Sequence, residues 1–319
     1  MRLACWLLAA SAAFAEVSGT VTNQTTGQPQ PGATVTLYKL ASETGIDAIT
    51  TVKSGADGAF SMPDTPSGPH LVQTAFDGVT YNNMLPPGRP TTGLKLSVYN
   101  SSNKPGGARI TTHRVLYEAD GMRLTVSESV IFKNEGKMSY NDPDKGTFRF
   151  FLPVGAGGKV KVMGTAPQGM PIERAPKKTG TENVYAVDFP VKPGETRIDL
   201  NYSMPMTGPA EVAGRILYDA ATPVRIVVPQ GITATSPELK LLGQEPATQA
   251  AIYEVAGRDY KVALAGTGTL RQPEGPDEDE GAGIRQIRPR LYDSFYPVLG
   301  LTALILVLGM ILLARRSHG

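Results

Sequence analysis

The sequence predicts an all-β fold: two β-sandwich domains in tandem, or three if the second region divides near residue 206, then a flexible stalk and a single C-terminal transmembrane helix. Three observations predict it. Short segments that alternate apolar and polar residues recur from Val17 onward, and no useful helical periodicity interrupts them between Glu16 and Gly266. The 319 residues include 35 glycines and 26 prolines but only 19% charged side chains, a punctuation that favours many short strands over long helices. Finally, Pro297 to Ala314 carries no charge and is followed at once by Arg315 and Arg316. As a helix rising ~1.5 Å per residue, that stretch covers about 27 Å, the thickness of a hydrocarbon core.

Residues 1–15 have the layout of a cleavable signal peptide: one positive charge at Arg2, an apolar run from Leu3 to Phe14, and small Ala13 and Ala15 before Glu16. Cys5, the only cysteine, and Trp6, the only tryptophan, fall inside it. The mature chain then has no thiol, which excludes disulfides, thiolate metal sites and cysteine nucleophiles. Export without disulfides points to a bacterial envelope. The net charge of +2, with no basic stripe interleaved with aromatics, excludes nucleic acid as a partner.

Residues 16–100 read as the first sandwich. Val17, Gly19 and Val21 alternate with Ser18 and Thr20; Ala33, Val35 and Leu37 alternate with Thr34, Thr36 and Tyr38. Each is a half-buried strand. Further strands are predicted over Ala48 to Lys53, Ala59 to Met62, His70 to Phe76 and Leu94 to Tyr99, with Asp57-Gly58 as a turn. Here Gly19-Thr20-Val21, Gly27-Gln28-Pro29, Pro31-Gly32-Ala33-Thr34-Val35-Thr36-Leu37, Asp57-Gly58-Ala59-Phe60 and Gly68-Pro69-His70-Leu71-Val72 together resemble the carboxypeptidase regulatory-like domain, a transthyretin-like sandwich. The resemblance implies an accessory module, related in shape to starch-binding sandwiches, and no peptidase activity.

Asn100 to Ala108, rich in Ser, Asn, Gly and Pro, reads as a linker. Residues 109–266 form the second β-rich region. In its clearest strand, Met122, Leu124, Val126, Val130 and Phe132 share one face, and Glu128 falls among them. Either a bulge shifts the register at Glu128, or the carboxylate is buried against a cation; a functional carboxylate is the remaining reading. Strands follow at Phe148 to Leu152, Lys159 to Met163, Val184 to Phe189 and Thr196 to Tyr202. A last batch, from Val212 to Leu217, Thr222 to Val228, Leu239 to Leu242, Ala251 to Val255 and Tyr260 to Leu264, either extends this sandwich or closes a small one of its own.

From residue 267 to 294 the pattern gives way to Gly, Pro and the acidic run Asp277 to Glu280, a stalk whose ends, as a random coil, lie about 25–30 Å apart. Residues 295–314 form the span and 315–319 a short cytoplasmic tail. Tyr292, Phe295 and Tyr296 are the interfacial anchors, Pro297 suits the first helical turn, and Arg315 and Arg316 close the inner side. Because Arg285, Arg288 and Arg290 balance that pair from the other side, the signal peptide sets the orientation: the ectodomain is exported to the periplasm or cell surface, and the C-terminus stays in the cytoplasm.

No catalytic constellation is legible. His70, His113 and His318 are far apart, without the spacing of a zinc peptidase, and no Gly-x-Ser-x-Gly elbow occurs. Gly155 to Gly158 leads into a strand, so it reads as a plain loop, and Asn141 to Gly146 reads as a tight turn, because Pro143 and Lys145 occupy positions where calcium ligands belong. Tyr81, Tyr99, Tyr140 and Tyr185 are candidate exposed rings for stacking on sugars. The expectation is a protein without cofactor or metal, and not an enzyme. It is a single-pass envelope protein held in membrane lipid by 295–314, whose sandwiches bind a partner protein or organise a surface assembly. The alternative is a carbohydrate-binding module for envelope or extracellular polysaccharide.

Overall fold

The computed structural model of the chain describes residues 17–41, 45–63, 68–219 and 222–270. The predicted signal peptide, the acidic stretch, the span at 295–314 and its anchor residues Tyr292, Phe295, Tyr296, Pro297, Arg315 and Arg316 lie outside the described residues. Among those described, no helix is long and apolar enough to cross a membrane.

Eight strands build the first sandwich: β1 (Val17–Asn23), β2 (Gln28–Pro29), β3 (Thr34–Ala41), β4 (Gly45–Lys53), β5 (Ala59–Met62), β6 (His70–Phe76), β7 (Val79–Leu85) and β8 (Leu94–Val98). One sheet centres on β1, which pairs antiparallel with β2 and β5 and parallel with β8. The other runs β4-β3-β6-β7. Period-2 alternation turns Val17 and Val21 from one sheet, and Val35 and Leu37 from the other, into a shared core in which none of the four is exposed. Gly19 lets β8 lie against β1, since a Cβ there would come 2.1 Å from the carbonyl oxygen of Leu94. The turn at Asp57-Gly58 forms as predicted, with Gly58 at φ +76°.

Strand β7 is absent from the sequence-based expectation. It pairs with all of β6 across the two-residue turn Asp77-Gly78, where both residues have positive φ (48° and 75°). Asp-Gly is the preferred pair for such a hairpin. The turn was therefore readable; Asn82 and Asn83, poor strand formers, hid the strand behind it.

The second region contributes β9 (Ser101–Ser102), β10 (Ala108–Ala119), β11 (Arg123–Asn134), β12 (Ser139–Tyr140), β13 (Phe148–Phe151), β14 (Lys161–Thr165), β15 (Ile172–Arg174), β16 (Lys177–Lys178), β17 (Val184–Val187), β18 (Gly194–Pro205), β19 (Ala210–Arg215), β20 (Arg225–Val228), β21 (Ile232–Thr235), β22 (Leu239–Gln244), β23 (Ala251–Val255) and β24 (Asp259–Gly266). An eight-stranded sheet, β15-β14-β18-β11-β10-β20-β23-β22, faces two three-stranded sheets, β13-β17-β16 and β19-β24-β21. Strands from both sides of residue 206 share that large sheet, and one continuous core runs from Ala108 to Leu264. The region is one sandwich.

Two boundaries move. The expected linker is ordered, because β9 pairs in parallel with β12 and the amide of Ser139 donates to Asn100 O at 2.9 Å. The expected stalk begins later than residue 267: Gly268 bridges Ala119, and the amide of Leu270 donates to Glu118 Oε1 at 2.7 Å.

The two sandwiches dock through these segments. The phenol of Tyr81 shares a buried 3.0 Å hydrogen bond with Ser139 Oγ, Thr25 Oγ1 donates to Lys137 O at 2.5 Å, and the ammonium of Lys192 lies 4.9 Å from the centre of the Tyr81 ring. Burial, reinforced by nearby Arg174, pulls Lys192 down to about 8.

Candidate functional site

The best-defined cluster of titratable side chains lies inside the second sandwich and is built by β10, β11 and β18. A bulge between Ile110 and Thr112 on β10 shifts its register by one residue, so that His113, Val115 and Tyr117 join Ile110 on the core face. On β11 the alternation of Leu124, Val126, Glu128, Val130 and Phe132 runs unbroken, and Glu128 points inward. The sequence allowed a bulge at Glu128 or a buried pair. What forms is a carboxylate–imidazole contact with His113, and the bulge sits on the neighbouring strand instead.

Glu128 Oε2 lies 3.0 Å from His113 Nε2, and the side chains are only 11% and 8% exposed. The other carboxylate oxygen accepts the phenol of Tyr202 at 2.8 Å. Tyr218 reaches His113 Nδ1 from the opposite side of the ring. An N–H at Nε2 donates to the carboxylate, while Nδ1 and the Tyr218 hydroxyl share a hydrogen bond that either group can donate. Tyr117 and Tyr260 complete the cluster by hydrogen-bonding to each other. Burial, and then the negative charge of Glu128, push the phenols of Tyr202 and Tyr218 well above their ordinary value; Tyr117 and Tyr260 are raised by burial too, with the Glu128 charge contributing.

A cavity of about 20 Å³ remains between these groups and Phe148, Phe150 and Gly214, room for no more than a water molecule. Every nitrogen of His113 and both oxygens of Glu128 already have partners. Proton transfer to a substrate needs a reacting atom within hydrogen-bonding reach of the acid or base. This arrangement leaves no place for one. What it does chemically is hold a carboxylate inside a sandwich and fix how three strands face one another.

Other sequence-derived candidates resolve individually. His70 is buried in the first sandwich, its Nδ1 3.0 Å from Gly68 O, in a different core from His113. Asn141 to Gly146 forms a turn in which Asp142 Oδ1 accepts the amide of Lys145 at 3.0 Å, with Gly146 at φ +79°. Gly155 and Ala156 close a short 3-10 helix (Val154–Ala156) capped by Gly157 at φ +60°, and Gly158 lies in the turn that leads towards β14. None of the four tyrosines expected to be exposed is so: one is buried and three are half-buried. Tyr81 is buried, Tyr99 pairs with it, Tyr140 is half-buried, and Tyr185 stacks on Phe150 with centroids 5.9 Å apart. They were absorbed because alternation and docking place an aromatic ring where apolar area is removed from water.

Sequence reasoning missed an edge. Among the described residues strand β4 pairs with β3 alone, and Ile46, Asp47, Ala48 and Ile49 are all exposed, Ile46 by 56% and Ile49 by 42%. The β3-β6 register runs to Lys39, and the amide of Leu40 still donates to Pro69 O at 3.3 Å, so β4 is the outer strand along this stretch of the sheet. Residue spacing reads strands but not their order, and order alone makes an edge.

With this geometry in place, likeness to known proteins can be stated. Residues 16–98 match the carboxypeptidase regulatory-like domain. The glycines that mark that domain thus include the close approach at Gly19 and the turn at Gly58 described above. The matched domain is a β-sandwich here, and the His113–Glu128 cluster lies outside it. No curated protein sequence matches the chain. Among solved structures, an M1 zinc metallopeptidase variant from Deinococcus radiodurans is similar at 11% identity and a TM-score of 0.26, over 50% of this chain and 42% of that protein. The chain thus spans under half the length of that enzyme, and a likeness at this level carries no argument about fold or activity.

Proposed function

We propose that this is a non-catalytic, single-span envelope protein whose exported sandwiches recruit a partner protein by strand addition along β4. The observation that carries the reading is the open edge of the regulatory-like domain. An edge strand without proline, carrying two exposed isoleucines at Ile46 and Ile49, is a template for an incoming strand. Main-chain hydrogen bonds supply affinity in that mode, and side chains such as Ile46 and Ile49 supply selectivity. The closed state of the His113–Glu128 cluster supports the absence of catalysis, and the order of 100–108 supports presentation of both sandwiches as one body.

The test is site-specific photo-crosslinking in intact membranes. A photoreactive residue at Ile49 of the full-length chain is expected to give a discrete adduct with a second protein, lost when Ile46→Lys is added. Recovery of the chain alone from every edge position would sink the reading.

A further inference from the structure

The outer face of the eight-stranded sheet carries a second feature, independent of β4. Strands β10 and β20 run parallel with Arg114 opposite Arg225 and Leu116 opposite Val227. Two exposed guanidinium groups therefore stand on adjacent strands about 4.8 Å apart at the backbone. Like charges directly opposite each other are destabilising. Neither arginine forms an ion pair or a side-chain hydrogen bond among the described residues. Glu254, opposite Arg225 on β23, does not pair with it and is faced from the other side by Lys240.

Beside the arginines lies a cleft of about 400 Å³, within the range of small-ligand sites. Its floor is the half-buried row Leu116, Val227 and Ile252, and Leu270 forms one wall, held there by Glu118. The opposite wall is the loop after β22, where Glu245 accepts both the amide and the hydroxyl of Thr248 at 2.6 Å. Those bonds hold the Glu245 carboxyl below its usual range, so it stays charged. Two guanidinium groups and one carboxylate leave the lining with a single net positive charge.

We propose that this cleft binds a monoanionic carboxylate carried on an aliphatic body. The carboxylate would bridge Arg114 and Arg225, whose planar donors match its geometry, and the aliphatic part would lie on Leu116, Val227 and Ile252. Two sources share that chemistry: the C-terminus of a peptide ending in an aliphatic residue, and a short fatty acid.

Calorimetric titration of the full-length chain in zwitterionic lipid nanodiscs, with acetyl-Gly-Leu, its C-terminal amide and 4-methylpentanoate as probes, tests it. At least one of the two acids is expected to bind saturably in the millimolar range, with the amide at least tenfold weaker than acetyl-Gly-Leu if the peptide acid is the binder. Tighter binding of acetyl-Gly-Leu assigns the peptide source, and tighter binding of 4-methylpentanoate the fatty-acid source. R114Q and R225Q should each weaken binding of the acids at least tenfold without lowering the melting temperature, since each relieves the like-charge contact. Failure of both acids to saturate, saturable binding of the amide as tight as that of the tighter acid, or undiminished binding by the R114Q/R225Q double variant overturns the proposal. Crosslinking at Ile49 does not depend on any of these results.

Discussion

Glu128 is the residue at which the sequence signalled something and left its meaning open. One carboxylate in an apolar alternation is costly unless donors meet it, and the donors come from His113, fifteen residues earlier, and Tyr202, seventy-four residues later. Removing the acceptor strands both donors in a core. Glu128→Ala is expected to destabilise the ectodomain by about 3 kcal/mol, whereas Glu128→Gln, which keeps an acceptor, should cost less; denaturant titration of the two variants measures the difference. A smaller residue is just as constrained. Gly214, opposite Tyr260 on the paired strand, lies beneath its ring, and a Cβ there would come within 2.1 Å of the ring carbon that bears the hydroxyl. Gly214→Ala should cost about 1–3 kcal/mol through overpacking, seen as a lower urea midpoint with an unchanged slope.

At the scale of elements, edges and bulges decide what the strands can do. Strand β4 lies at the end of its sheet with its isoleucines exposed, so replacing them with charge should leave the fold alone. The Ile46→Lys, Ile49→Lys double variant is expected to change stability by less than about 0.5 kcal/mol while abolishing any edge-mediated adduct; a large loss of stability would mean that those side chains are packed. Both features escape the sequence for the same reason. Alternation places Ile46 and His113 on faces but cannot say that β4 ends a sheet, or that a one-residue slip at Thr111 turns His113 inward. Strand β5 was legible because its alternation is regular after the Asp57-Gly58 turn, and β3 and β6 because they are rich in β-branched, aromatic and aliphatic residues. The short pairings β9 and β12, two residues each, have no period to read.

For the whole molecule, the dock between sandwiches and the buried tyrosines give stability a defined pH profile. Lys192 has a folded value of about 8 against an ordinary 10.5, so between those values the unfolded chain binds more protons, and stability rises with pH. The phenols of Tyr117, Tyr202, Tyr218 and Tyr260 are raised above 10.0, so their contribution is complete below that pH and is lost above it as the unfolded chain ionises first. Thermal melting across pH 7 to 11.5 should therefore show a rise above about 8 and a fall beyond about 10. Lys192→Met should flatten the rising arm alone. A profile still rising beyond pH 10 would contradict the burial of the four phenols. Tyr81→Phe, which removes the bond to Ser139, should weaken the dock by about 1 kcal/mol, measured as earlier melting or a second calorimetric transition.

The sequence by itself determined the all-β class, the regulatory-like domain at the N-terminus and most strands, because side-chain period and turn residues are local properties that the chain states wherever it is read. Tertiary structure alone decided that 109–266 is one sandwich, that four candidate tyrosines are partly or wholly buried, and that Glu128 meets His113, Tyr202 and, through the histidine, Tyr218. Those facts depend on which strands become neighbours. Strand order is set by burying the most apolar surface over contacts far apart in sequence, and no residue records its partner in its own spacing.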